Sequence, residues 1–141
     1  MKSKSICRTV LLALLMTLSA SAFAQIDPAT AAKRAARRNM TVKEWNTDAK
    51  SKTRWLDRVT TYDSDGRKIE ETEYTQYGQK WRETFEYGPN DKIVKEVHYN
   101  EKNKPERISK YEYDSAGRKT RQCNYSPNGK LLTTKVFEYV M

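Results

Sequence analysis

The chain has 141 residues, with 27 Lys or Arg against 18 Asp or Glu and a single His, for a net charge of +9 at pH 7. At 32% charged residues and a mean hydropathy of −0.95 it can bury only a modest core, but nine Tyr, three Trp and three Phe argue against a disordered polymer. One His and two Cys exclude a His/Cys metal cluster and leave little for nucleophilic catalysis.

Residues 1–24 have the three-part layout of a secretory signal. Lys2, Lys4 and Arg8 precede the apolar run TVLLALLMTL, and Ala22 and Ala24 frame an A-x-A site before Gln25. The run is too short to cross about 30 Å of hydrocarbon, which takes about 20 residues. The expectation is export to the periplasm or beyond, after cleavage near Ala24-Gln25, with no transmembrane segment in the mature chain. Loss of Lys2, Lys4 and Arg8 leaves 24 basic residues against 18 acidic ones, a net of +6. Cys7 leaves with the signal, so Cys123 stands alone, no internal disulfide can form, and a buried packing role is expected for it.

Residues 25–52 read as a basic arm of helix and loop. Asp27 suits an N-cap and Pro28 the first helical position. Ala29, Ala32, Ala36 and Met40 follow helical spacing, while Lys33, Arg34, Arg37 and Arg38 form two i,i+4 basic rows. The expectation is that 27–45 lies across an aromatic sheet face, with those four cations pointing outward as a ridge. MTVKEWNTDAKSKT reads as loop, with a helical turn near Trp45. Residues 25–58 hold nine basic and four acidic residues, against fifteen and fourteen in 59–141, so nearly all the excess charge sits here.

From Thr53 the helical period gives way to tyrosines at 62, 74, 87, 99, 113, 125 and 139. Every second one recurs after 25 or 26 residues, which marks a repeat. The fourth residue after each of the first six is Gly66, Gly78, Asp91, Asn103, Gly117 and Gly129, all types that tolerate positive φ. A type I turn followed by such a residue makes a hairpin with a G1 bulge. YDSDGRK and YDSAGRK are then one turn written twice, with Asp63 facing Arg67 and Asp114 facing Arg118. The expected fold is mainly all-β: about seven strands over 53–141 in an antiparallel meander of repeated hairpins, preceded by one helix. Counting back from each Tyr by two predicts one face of Thr60, Thr72, Phe85, Val97, Tyr111, Cys123 and Phe137. The charged positions, Glu73, Glu86, His98, Glu112 and Glu138 among them, fall on the other. A bulge near Tyr77-Gly78-Gln79 is expected to absorb the odd interval between Tyr74 and Tyr87.

YEYDSAGRKT, residues 111–120, resembles the YD repeat of RHS-type secreted proteins, and TTYDSDGRKI, residues 60–69, resembles it less fully. YSPNGKL, residues 125–131, is similar to the repeats of MORN-variant antitoxin-like proteins, and such repeats also occur in small exported families of unknown function. The resemblance covers about 80 residues in degenerate form. It implies the sheet and leaves the activity open.

No catalytic residue, metal site or cofactor is expected. His98 beside Glu96 and Tyr99 could shuttle a proton in principle, and the carboxylates Glu70, Glu71, Glu73, Glu83 and Glu86 could serve glycoside hydrolysis only in a cleft. They read instead as partners of Arg82 and Lys95 across strands. Trp81, Phe85, Tyr87, Tyr111, Tyr113 and Phe137 are expected on one face as a candidate binding surface, and Lys33, Arg34, Arg37 and Arg38 as a candidate basic ridge. The expectation is an exported, non-catalytic binding or structural module at the cell envelope. Its partner would be an envelope polymer, a glycan, a protein or a second copy of the chain, and not nucleic acid. The alternative is a carbohydrate-binding protein or small carbohydrate-active hydrolase.

Overall fold

The computed structural model describes residues 26–141, so the expected signal segment lies outside the described residues. A short helix α1 (Pro28–Ala35) leads into eight strands: β1 (Thr41–Thr47), β2 (Arg54–Tyr62), β3 (Lys68–Thr75), β4 (Gly78–Tyr87), β5 (Ile93–Tyr99), β6 (Pro105–Tyr113), β7 (Lys119–Tyr125) and β8 (Leu131–Val136). They form one antiparallel sheet in strict chain order, a meander in which each strand pairs only with its neighbours in sequence.

Five of the hairpins share one turn. Gly66, Asp91, Asn103, Gly117 and Gly129 have φ between 60° and 86°. In each, the residue after the tyrosine donates its N–H across the turn, as Asp63 does to Arg67 O at 3.0 Å and Asp114 to Arg118 O at 2.9 Å. Its own carbonyl accepts from the positive-φ residue, as Asp63 O does from Gly66 at 3.0 Å. The ladder slips by one residue beside each of these turns. The β3–β4 connection differs: Thr75 pairs with Gly78 across the two residues Gln76 and Tyr77, and Gly78 has φ 130°. The irregularity expected near Tyr77 lies between Glu73 and Tyr74, opposite Gln79.

The eighth strand was not expected. Residues 41–47 pair with β2 and are neither loop nor helical turn. Asp48 closes the β1–β2 turn, its Oδ1 accepting from the N–H of Lys50 (2.9 Å) and Ser51 (2.6 Å), and Lys52 takes the positive-φ position at 59°. The sheet therefore begins at Thr41 and takes in part of the expected arm.

Side-chain faces also sort differently from the expectation. Beyond the slip beside each of the five bulged turns, pairing partners have opposite numerical parity, so steps of 12 or 14 residues carry successive tyrosines to opposite faces. Thr60, Phe85, Tyr111 and Phe137 share a face with Glu73, His98 and Asn124, while Thr72, Val97 and Cys123 lie on the other with Glu86 and Glu112. The separation into an aromatic and a charged face does not hold. Tyr62, Tyr87, Tyr113 and Tyr139 return to one face, which is what the interval of 25 or 26 means physically. The phenols of Tyr87, Tyr113 and Tyr139 donate to the carbonyls of Lys68, Ile93 and Lys119 at 2.8, 2.6 and 2.8 Å.

A single sheet buries little. Among the described residues, Phe85 and Val97, at 8% and 9% exposed, are the buried hydrophobic ones, and Thr60, Thr72 and Ser109 the buried polar ones. The helix does not supply a second layer. None of its residues is buried, and Ala29, Ala32 and Ala36 are exposed.

Candidate functional site

The N-terminal residues build a recess at one end of the face that carries Tyr62 and Tyr87. Asp27 caps α1, accepting from the Thr30 N–H at 2.9 Å, and Pro28 follows as the first helical residue. An eight-residue helix is marginal alone, and its anchorage is local. The backbone of Arg34 rests on the β2–β3 turn, where a Cβ on Gly66 would fall 2.0 Å from Arg34 O. The Arg34 guanidinium pairs with Asp91 on the β4–β5 turn. Arg67 joins the two turns, reaching Asp63 at 2.9 Å and Asp91 at 3.1 Å. Asn39, with φ 53°, ends the helical segment and donates its N–H to Asp63 O at 2.9 Å, and the chain then runs into β1.

Between α1 and the sheet lies an open recess of about 480 Å³. Lys33, Arg34, Arg37, Arg58, Arg67 and Lys68 line it, with Tyr62, Tyr87 and the carboxylates of Glu44 and Glu71. Four of the cations are engaged: Arg34 and Arg67 as above, Lys68 with Glu71 at 3.0 Å, and Arg58 with Glu73 at 3.5 Å. Lys33 and Arg37 have no carboxylate partner among the described residues; Arg37 lies over the Tyr62 ring at 5.2 Å. The buried Arg58 Nε has no hydrogen-bond partner among the described residues. The local charge surplus is thus held by side chains free to turn toward an anion.

The expected outward ridge is corrected by this geometry. Lys33, Arg34 and Arg37 face the sheet across the recess, because the helix sits on a turn and not on the broad face. Arg38 does not line it. Trp81, Phe85, Tyr87, Tyr111, Tyr113 and Phe137 do fall on one face by register, but the helix reaches only its Tyr62–Tyr87 corner. Elsewhere lysine ammonium groups sit over the rings: Lys68 Nζ lies 4.8 Å from the Phe85 ring centre, and Lys119 Nζ 4.0 Å from that of Tyr111 and 5.9 Å from that of Phe137. Trp45, expected to add bulk to a core, is half exposed and stacks on Arg54.

Sequence reasoning missed Arg58, Arg67, Lys68 and Tyr62 as site residues. A signal for Arg67 was present. Arg67 lies over the Tyr87 ring at 4.6 Å and Arg118 over the Tyr139 ring at 4.9 Å, so the Arg of each DSxGRK turn also stacks on the next tyrosine of the same face. That second contact accounts for the repeated spelling beyond turn chemistry.

The same face carries a cross-strand row of Thr60, Glu71, Glu83, His98 and Arg107. His98 stands 3.8 Å from Glu83 and 3.9 Å from Glu106, with the Trp81 ring 6.0 Å away. Burial raises the Glu83 carboxyl above its ordinary range, and the Glu96 charge adds to this. Tyr111 is raised by burial and by donating its phenol proton to Glu96 at 2.6 Å. As expected, Glu70 accepts from Arg82 (2.9 Å) and Glu86 from Lys95 (3.2 Å). The recess under α1 is not lined by His98, nor is a second hollow around Trp55 and Tyr77. Among the described residues no group of His, Cys, Asp and Glu is placed to hold a metal, and no helix is long and apolar enough to cross a membrane. The chain matches no protein-family model and no curated protein sequence.

Proposed function

We propose that the protein is an exported, non-catalytic β-repeat module that binds an acidic polymer of the cell envelope, in the recess between α1 and the sheet. One observation carries this reading: six cationic side chains and two tyrosines surround an open recess, and Lys33 and Arg37 are not neutralised from within. A carboxylate or sulfate on a sugar ring meets both demands of such a surface, a charge for the guanidinium and a flat apolar side for the phenol ring. The signal-like residues 1–24 support an envelope setting and weigh against nucleic acid as the anion.

Binding of polygalacturonate, with neutral dextran as the comparison, tests the proposal by calorimetry at low and moderate salt. Polygalacturonate should bind, weaken as salt rises, and lose most of its affinity in the Lys33→Glu, Arg37→Glu double variant. Equal affinity for dextran, or binding indifferent to the double variant, would overturn it. A second reading, a small carbohydrate-active hydrolase, draws on Trp81, Glu83, Glu96 and His98 sharing one face, but neither hollow includes them. Release of reducing ends from polygalacturonate, abolished in Glu83→Gln, would favour that reading.

A further inference from the structure

The hollow around Trp55 and Tyr77 lies between the β1–β2 and β3–β4 turns, about 20 Å from the recess along β2, from Tyr62 back to Trp55. A bulge turns Trp55 toward it. Glu44 pairs with Arg58 and Asn46 with Trp55, which leaves Asp57 without a partner on β1. Asn46 shares the face of Glu44, two residues away, so Trp55 joins the face of Arg58 and Thr60 instead of the opposite one. Trp45 takes the other face, with Arg54. Thr75 also lies on the Trp55 face, two residues beyond Glu73, the partner of Arg58. Tyr77 stands at the tip of the β3–β4 turn. Its N–H donates to Thr75 Oγ1 at 3.1 Å, which fixes the turn, while 89% of the residue is exposed. Turns favour Gly, Asn or Asp, so closing the chain does not account for the ring.

The hollow measures about 670 Å³, within the roughly 300–1,000 Å³ of small-molecule sites. Asp48, Ser51, Thr75 and Gln76 complete its lining, and no cation among the described residues lines it, in contrast to the recess. Asp48 Oδ1 holds the β1–β2 turn through the N–H groups of Lys50 and Ser51 and the Ser51 hydroxyl at 3.0 Å, which leaves Oδ2 as an acceptor. We propose that this hollow binds an uncharged N-acetylated amino sugar, one ring of a glycan chain. Trp55 and Tyr77 offer flat apolar surfaces to the C–H side of a pyranose. The Gln76 carboxamide supplies the donor and the acceptor that an acetamido group requires, and Asp48 accepts from a ring hydroxyl. An acidic sugar would meet the Asp48 charge with no cation to offset it. A cationic ligand would meet Lys50 and Lys52 on the same turn as Asp48. The hollow shares no residue with the recess, and its assignment does not rest on the acidic-polymer reading.

Titration with chitotetraose, the β-1,4-linked tetrasaccharide of N-acetylglucosamine, tests the proposal by calorimetry and tryptophan emission. Cellotetraose, with the same linkage and no acetamido groups, is the comparison. Chitotetraose should bind, and cellotetraose should bind severalfold more weakly. Tyr77→Ala should weaken chitotetraose by about tenfold, the order of one aromatic contact; far-UV circular dichroism should show strand content retained. Trp55→Phe keeps a ring in place, so binding should remain measurable by calorimetry while the change in tryptophan emission disappears. The affinity should hold from low to moderate salt, where that for polygalacturonate falls. No binding, equal affinity for cellotetraose, indifference to Tyr77→Ala, or an emission change that survives Trp55→Phe would overturn the proposal. An affinity that falls with salt would also overturn it, by placing the sugar among the cations of the recess.

Discussion

Single side chains in this sheet answer to neighbours on adjacent strands, because among the described residues no second layer buries them. Glu83 shows the consequence most clearly. It stands in the row between Glu71 and His98, with Lys68 and Arg107 drawing its carboxyl toward ionisation and burial and Glu96 opposing them. Opposition wins and the folded-state pKa is raised. A raised carboxyl contributes stability that is fully present below its unfolded value, about pH 4.3, and lost as pH rises through the folded value. At neutral pH the ionised group therefore weighs against the fold. Glu83→Gln should raise the melting temperature at pH 7, and the gain should vanish below about pH 4. A gain that persists unchanged at acid pH, or a loss at pH 7, would show that Glu83 is held by its cations instead. The residue types at this site were legible in the sequence, but their neighbours were not. Counting from the tyrosines placed His98 opposite the aromatic face, because the bulge at each turn reverses a parity that the eye carries straight through.

Elements in this chain are defined by their ends. The repeated turns were legible because the positive-φ position is spelled Gly, Asp or Asn, residues that accept it at low cost. β1 was not, because the turn that follows it uses Lys52 at that position and closes through the Asp48 side chain, leaving no Gly to mark it. The helix was legible from Asp27 and Pro28, but its seat was not, since the alanines that suggested close packing are exposed and the contact runs through Gly66. Two glycines of identical turn role separate seat from turn. Gly66 (φ 72°) and Gly117 (φ 77°) bear the same backbone strain on substitution, on the order of 1 kcal/mol for Ala. A methyl at Gly117 meets only the flexible Lys92 side chain at 3.4 Å, whereas at Gly66 it collides with the backbone of Arg34. Gly66→Ala should therefore lose more stability than Gly117→Ala in urea unfolding, and it alone should open trypsin cleavage at Arg37 and Arg38. Equal losses with no new cleavage would mean that α1 does not rest on this turn.

For the whole molecule, one layer in sequence order means that stability is assembled locally. Each strand bonds only to its neighbours in sequence, so removing an end strand takes away one ladder and leaves the rest, as in linear repeat arrays. The buried side chains lie on β2 through β6, with Phe85 on β4 and Val97 on β5, and burial fades toward β8, where every residue is exposed. A two-layer domain with a common core would open as a unit. This sheet should open from its ends, because fraying β8 gives up solvated hydrogen bonds and little apolar area, while separating β4 from β5 uncovers both Phe85 and Val97. Amide hydrogen exchange should show protection highest along β4 and β5 and declining stepwise through β6 and β7 to β8. Phe85→Ala, at a cost of about 3 kcal/mol or more, should lower protection on both sides of β4, whereas Phe137→Ala should affect β7 and β8 alone. Uniform protection from β2 to β8, falling together in both variants, would show that the strands are coupled more widely than this topology allows.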